Sequence, residues 1–154
     1  MRLVRPLLLA WLALVVPAHA ATGGAEDPEA LAKAFQQAHV QKNYQQASQL
    51  IYWEGVDAQT RAATENYYSI KYNERITGFS ISNVSLNATP RGEHNGQAYE
   101  LNLSPTHKIV FRYQAHEHAA KNTVRRGAPQ KNELIMLVGK KGERYYIVMA
   151  RPVK

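Results

Sequence analysis

The chain has no cysteine. A domain built from it therefore has no disulfide staple, no thiol nucleophile and no lipid-modified cysteine at a processing site. Other familiar signatures are missing as well. The sequence holds no Gly-x-Ser-x-Gly nucleophile turn, no phosphate-cradling glycine loop and no His-Glu-x-x-His metal helix. Hydrolase and nucleotide-binding chemistries thus find no support. Internal repeats and low-complexity tracts are absent. Long apolar runs are scarce too: Leu7–Val16 offers ten residues, where a membrane span needs ~20.

That short run carries a different meaning. Arg2 and Arg5 precede it, Pro17 breaks it, and Ala18-His19-Ala20 places small residues at the −3 and −1 positions of a cleavage site. Positive charge, apolar core and small-residue exit make a secretory signal peptide over residues 1–20, cleaved after Ala20. Removing it from 154 residues leaves 134, the size of one domain. A chain of that length buries roughly two-thirds of its unfolded surface. It is expected to be soluble and to fold on a hydrophobic core alone, in a bacterial periplasm or fully secreted.

Charge is unevenly spread. Ala21–Thr106 holds six basic and nine acidic residues, whereas His107–Lys154 holds eleven basic and three acidic. A basic half suits an anionic envelope component, such as a lipid or polymer, or an acidic protein partner. It also suits lysines guarding a sheet edge against aggregation. Nucleic acid is disfavoured by export and by the lack of any recognised binding motif.

Residues 21–26, with Thr-Gly-Gly, read as a flexible leader, and 27–154 as the single domain. Asp27-Pro28-Glu29 is a strong helix start. Leu31, Ala34, Phe35 and Ala38 then share one face, which predicts a helix to about Lys42. Asn43 caps a second helix from Tyr44 to about Leu50. Asp57 caps a third, from Ala58 to about Tyr72, with Ala62, Tyr67 and Ile70 among its expected buried residues.

Strand texture follows. Phe79 and Ile81 alternate, and the phase slips at Asn83 before Val84 and Leu86, as at a β-bulge. Tyr99, Leu101 and Leu103 alternate, then Ile109, Phe111, Tyr113 and Ala115, with a turn at Ser104-Pro105-Thr106. A polar loop runs from about Glu117 to Lys131. Leu134–Val138 and Tyr145–Ala150 pair across Gly139-Lys140-Lys141-Gly142. Three helices followed by about five antiparallel strands predict α+β, a helical layer on one face of a bent sheet.

This order, with Phe35 and Ala38 followed by Lys42-Asn43-Tyr44-Gln45-Gln46-Ala47, resembles the nuclear transport factor two-like superfamily, also called cystatin-like α+β. Lys-Asn stands where that family often has Gly-Asp at the start of its second helix. The resemblance spans Pro28–Ala150. It implies N-terminal helices packed on a strongly curved antiparallel sheet, a cone that is catalytic, ligand-binding or filled. It also makes a homodimer, paired through the outer faces of the sheets, an expectation. Fold alone does not choose among the functions.

Four residue groups could carry chemistry. An isomerase- or cyclase-like cone needs a carboxylate base, here Glu54 or Asp57, and a tyrosine donor, here Tyr67, Tyr68 or Tyr113. Asp57 is better explained as a helix cap, standing immediately before Ala58 and its helical run. A ligand pocket would draw on Tyr52 and Trp53 beside Gly55, and on Tyr113; such rings also serve as core. His116 and His118, two apart on a strand, face one side and could share a divalent metal, though no third ligand is specified. Lys121, Arg125, Arg126 and Lys131, with Lys140, Lys141 and Arg144, form a candidate basic patch. No cofactor is called for. The reading that follows is a non-enzymatic domain binding a small apolar ligand or an envelope partner, with the isomerase-like enzyme as the alternative.

Overall fold

The computed structural model describes residues 23–84, 91–114 and 132–153. It is α+β. Among the described residues three helices, α1 (Pro28–Val40), α2 (Tyr44–Gln49) and α3 (Ala58–Lys71), precede seven strands. These are β1 (Ile76–Asn83), β2 (Arg91–His94), β3 (Gln97–Leu101), β4 (Pro105–Tyr113), β5 (Glu133–Lys141), β6 (Arg144–Ile147) and β7 (Ala150–Pro152).

Each helix begins at a side-chain cap. Asp27 Oδ1 accepts from the Ala30 amide at 2.7 Å, Asn43 Oδ1 from Gln46 at 3.1 Å, and Asp57 Oδ1 from Thr60 at 2.8 Å. Such caps satisfy amide groups that the helix leaves bare. α1 buries Leu31, Ala32, Phe35, Ala38 and His39. α3 buries Tyr68 alone; Ala62, Tyr67 and Ile70, expected inside, are exposed. α3 reaches the core through Tyr68 and turns most of its surface outward.

The strands form two antiparallel sheets rather than one, in orders β1-β4-β5-β6 and β2-β3-β7. Neither is strongly curled. The strand path from Arg144 to Pro152 leaves the first sheet and enters the second at Val148–Met149. There the Val148 amide donates to Leu137 O and the Asn102 amide to Met149 O. β4 is central, and Ile109, Phe111 and Tyr113 alternate into the core as expected. Phe35 of α1 meets Phe111 at 5.0 Å between ring centroids, and Phe79 of β1 meets it at 5.8 Å.

Local details differ from the sequence reading. The irregularity in β1 falls between Ile76 and Gly78 rather than at Asn83, where the strand ends. Leu86 and Ala115 lie outside the described residues. Pro105 opens β4 instead of sitting in a turn. The last hairpin turns on Gly142 and Glu143, because Gly139, Lys140 and Lys141 continue the ladder against Tyr146, Tyr145 and Arg144.

The leader is the clearest correction. Residues 23–25 are strapped along the β6 edge, not loose. Ala25 and Tyr145 exchange both backbone hydrogen bonds, at 2.9 and 2.8 Å. Arg144 donates to the carbonyls of Gly23 and Gly24, both at 2.8 Å. Gly24 sits at φ +78°, and a Cβ there would lie 2.7 Å from Tyr145 O and 2.7 Å from the Tyr146 ring. The two glycines thus serve close approach, not flexibility. Gly24→Ala is expected to cost about 1–3 kcal/mol from the left-handed backbone alone, read as a lower urea midpoint. An unchanged midpoint would show that the strap contributes nothing.

Candidate functional site

α3 is a helix with little to bury, and the space beside it is a cleft. One wall is α3 itself: Gln59, Thr60, Ala63, Thr64, Tyr67 and Tyr68. His94 and Tyr99 of the β2–β3 hairpin form the other, and Met149 and Ala150 at the crossover between sheets complete the lining. The cleft measures about 550 Å³, within the range of small-molecule sites.

Among the described residues no Asp, Glu, Lys or Arg lines it. The threonine protons are used inside the helix, since Thr60 donates to Asp57 Oδ2 at 2.8 Å and Thr64 to Thr60 O at 2.8 Å. Tyrosine faces, Met149 and two alanines supply apolar surface. The Gln59 amide, the His94 imidazole and the tyrosine hydroxyls supply polar points. Tyr68 is buried against Phe35, at 5.4 Å, and Tyr67 stands against it at 5.7 Å.

Of the residues singled out in sequence, Tyr67 and Tyr68 line this cleft, and Glu54, Asp57, Tyr52, Trp53 and Tyr113 do not. Tyr52 and Glu54 do come together, the phenol donating to the carboxylate. That hydrogen bond first, then the nearby Lys141 ammonium, holds the Glu54 carboxyl below the usual carboxylate range. Asp57 is likewise held low, by the Thr60 amide and hydroxyl. A buried general base would be raised instead. Both carboxylates are better described as a surface pair and a cap.

Trp53 donates its indole N–H to Ser48, 2.9 Å to O and 3.1 Å to Oγ, and the Arg61 guanidinium stacks on its ring at 4.8 Å. Its ring is thereby occupied. Tyr113 is drawn into the core beside His39 and Tyr72, at 5.5 Å from the imidazole. His39 Nε2 lies 2.6 Å from Glu74 O. A carbonyl only accepts, so Nε2 carries the proton. His39 Nδ1 and the hydroxyls of Tyr72 and Tyr113 have no hydrogen-bond partner among the described residues.

Burial raises these phenols: Tyr72 to about 12, with Tyr68 and Tyr113 further. A phenol whose folded pKa lies above its unfolded value of ~10 contributes stability below that pH and loses it as pH rises. Tyrosinate absorbance is therefore expected to rise in two stages, with Tyr68, Tyr72 and Tyr113 ionising only as the chain unfolds in strong alkali. A single stage near pH ~10 with the circular dichroism intact would contradict this burial.

The expected basic patch divides. Lys140 pairs with Glu143 at 3.6 Å and covers the Tyr145 ring, Lys141 covers the Tyr52 ring, and Arg144 holds the strap. Lys121, Arg125, Arg126 and Lys131 lie outside the described residues, as do His116 and His118. Among the described residues no group of three or more histidines and carboxylates is placed to hold a metal ion. Nor is any helix there long and apolar enough to cross a membrane.

Neither His94 nor Tyr99 was read as a pocket residue in sequence, where Tyr99 figured only in a strand alternation. The signal was Asn95-Gly96, the hairpin dipeptide, hidden because Arg91-Gly92-Glu93-His94 has no apolar alternation. No family model, curated protein or solved structure matches the chain.

Proposed function

We propose that the chain is an exported, non-enzymatic binding domain of the cell envelope whose site is the α3 cleft. The site takes an uncharged, largely apolar group. One observation carries the reading: the uncharged, tyrosine- and methionine-lined space of about 550 Å³ beside a helix that buries a single residue. An occupant would cover the inward side of Ala63 and Tyr67, which are now exposed, and so supply the burial α3 lacks. Instead of a cone closed by one bent sheet, the reading uses the angle between α3 and the β2-β3-β7 sheet as its concavity. Export rests on the signal sequence at residues 1–20.

The test is a titration with N-phenyl-1-naphthylamine, an uncharged apolar fluorophore. Ala63→Trp, which fills the cleft from a solvent-facing helical position, is expected to weaken binding at least about tenfold with the helix signal unchanged, roughly 1.4 kcal/mol. Equal binding by both proteins would remove the cleft as the site.

A further inference from the structure

We propose that the group entering the cleft is a side chain of an extended peptide, whose backbone pairs with the outer edge of β2. The proposal rests on the cleft being a binding site and names its occupant.

The hairpin geometry sets which backbone groups are on offer. Asn95 and Gly96 have φ 51° and 76°, the two-residue turn that matches strand twist. In such a hairpin the residues flanking the turn, His94 and Gln97, exchange both hydrogen bonds, and the bonded pairs then alternate. With Gly92 opposite Tyr99 and Glu93 opposite Ala98, Gly92 bonds inward. The N–H and C=O of Arg91 and Glu93 therefore point away from β3. Among the described residues β3 is the sole strand beside β2, and all four β2 residues are exposed.

The two faces of that edge differ. Alternation puts Gly92, His94 and Tyr99 on the cleft side. Among the described residues a Cβ added to Gly92 would meet nothing within 4 Å, so no described side chain covers the edge there. Arg91 and Glu93 project from the other face, where Glu100 pairs with Arg151 at 2.8 Å and lies 3.9 Å from Arg91. The charges that commonly guard an edge are thus turned away from the site.

Complementarity then points to a polypeptide. The edge presents alternating donors and acceptors, which a peptide backbone matches. The adjoining space, whose described lining holds no Asp, Glu, Lys or Arg, accepts an aromatic or aliphatic side chain of that same peptide. A strand laid beside β2 would border the cleft that α3 residues line, adding to an exposed sheet edge with a pocket for alternate side chains.

The experiment pans a phage-displayed library of random peptides against the protein, then measures selected peptides by fluorescence polarisation. Binders with an apolar side chain at a fixed position are expected. Glu93→Pro removes an outward N–H without touching the ladder to β3. It should weaken peptide binding about tenfold, the worth of one main-chain hydrogen bond, and leave N-phenyl-1-naphthylamine binding unchanged. As a check independent of the protein's folding, the peptide is N-methylated at alternate residues. One phase of the alternation should abolish binding and the other retain it. A library without binders while the fluorophore still binds makes the site one for small molecules and overturns the proposal. So does indifference to both phases of methylation. If the fluorophore also fails to bind, the cleft reading itself falls.

Discussion

Phe35→Ala is expected to destabilise the domain by about 3–5 kcal/mol, the usual cost of emptying a buried aromatic site. Phe35 is 1% exposed and joins three elements. Its ring meets Phe111 of β4 at 5.0 Å, Tyr68 of α3 at 5.4 Å and His39 one turn along α1 at 6.4 Å. Because these neighbours come from different elements, none can collapse into the hole without dragging its own backbone, so the cavity term is not relieved. The loss is a fifth or more of the roughly 5–15 kcal/mol that holds a typical domain. Here no covalent cross-link restrains the unfolded chain. Urea unfolding measures it. A loss under about 1.5 kcal/mol, the range of a tolerated hydrophobic swap, would place the core elsewhere.

The second large effect is expected at Asn102→Asp. Asn102 is 8% exposed, and its side chain ties three strands of chain together. Nδ2 donates to the carbonyls of Tyr52, at 2.6 Å, and Glu54, at 3.2 Å, while Oδ1 accepts from the Met149 amide at 3.0 Å. Aspartate has the same shape but turns a donor into an acceptor. At neutral pH a buried carboxylate would face two carbonyl oxygens, a cost of roughly 3–5 kcal/mol. Protonation restores one O–H donor, so the group's folded pKa is raised. The variant should therefore regain stability as pH falls and lose it as pH rises. Asn102→Asp unfolding like the parent at pH ~7 would mean the loop is not held by this amide.

The helical half was legible in the sequence because its rules are local. Asp27, Asn43 and Asp57 are each followed by the helix their cap implies, and Pro28 stands at the first turn. The alternation of Ile109, Phe111 and Tyr113 was legible for the same reason, since a central strand with one buried face imposes period two. Non-local facts were not. Gly23-Gly24 looked flexible because nothing in their neighbourhood announces Tyr145 more than a hundred residues away. Tyr67 and Ile70 looked buried because helical periodicity reports a preferred face, not whether a partner lies under it.

The site suffered most. Glu54 and Tyr52 do meet, but on the surface, and the carboxyl is held low rather than raised. His94 and Tyr99 reach the cleft by way of a hairpin whose first strand had no advance notice beyond the dipeptide Asn95-Gly96.

A titration of the isotope-labelled protein with N-phenyl-1-naphthylamine, followed by amide and methyl chemical shifts, tests the cleft most directly. Changes centred on Ala63, Tyr67, Tyr99 and the Met149 methyl are the result expected of a binding site between α3 and the β2–β3 hairpin. Changes centred on Tyr52 and Trp53, or saturation without movement of any of those four residues, would contradict it.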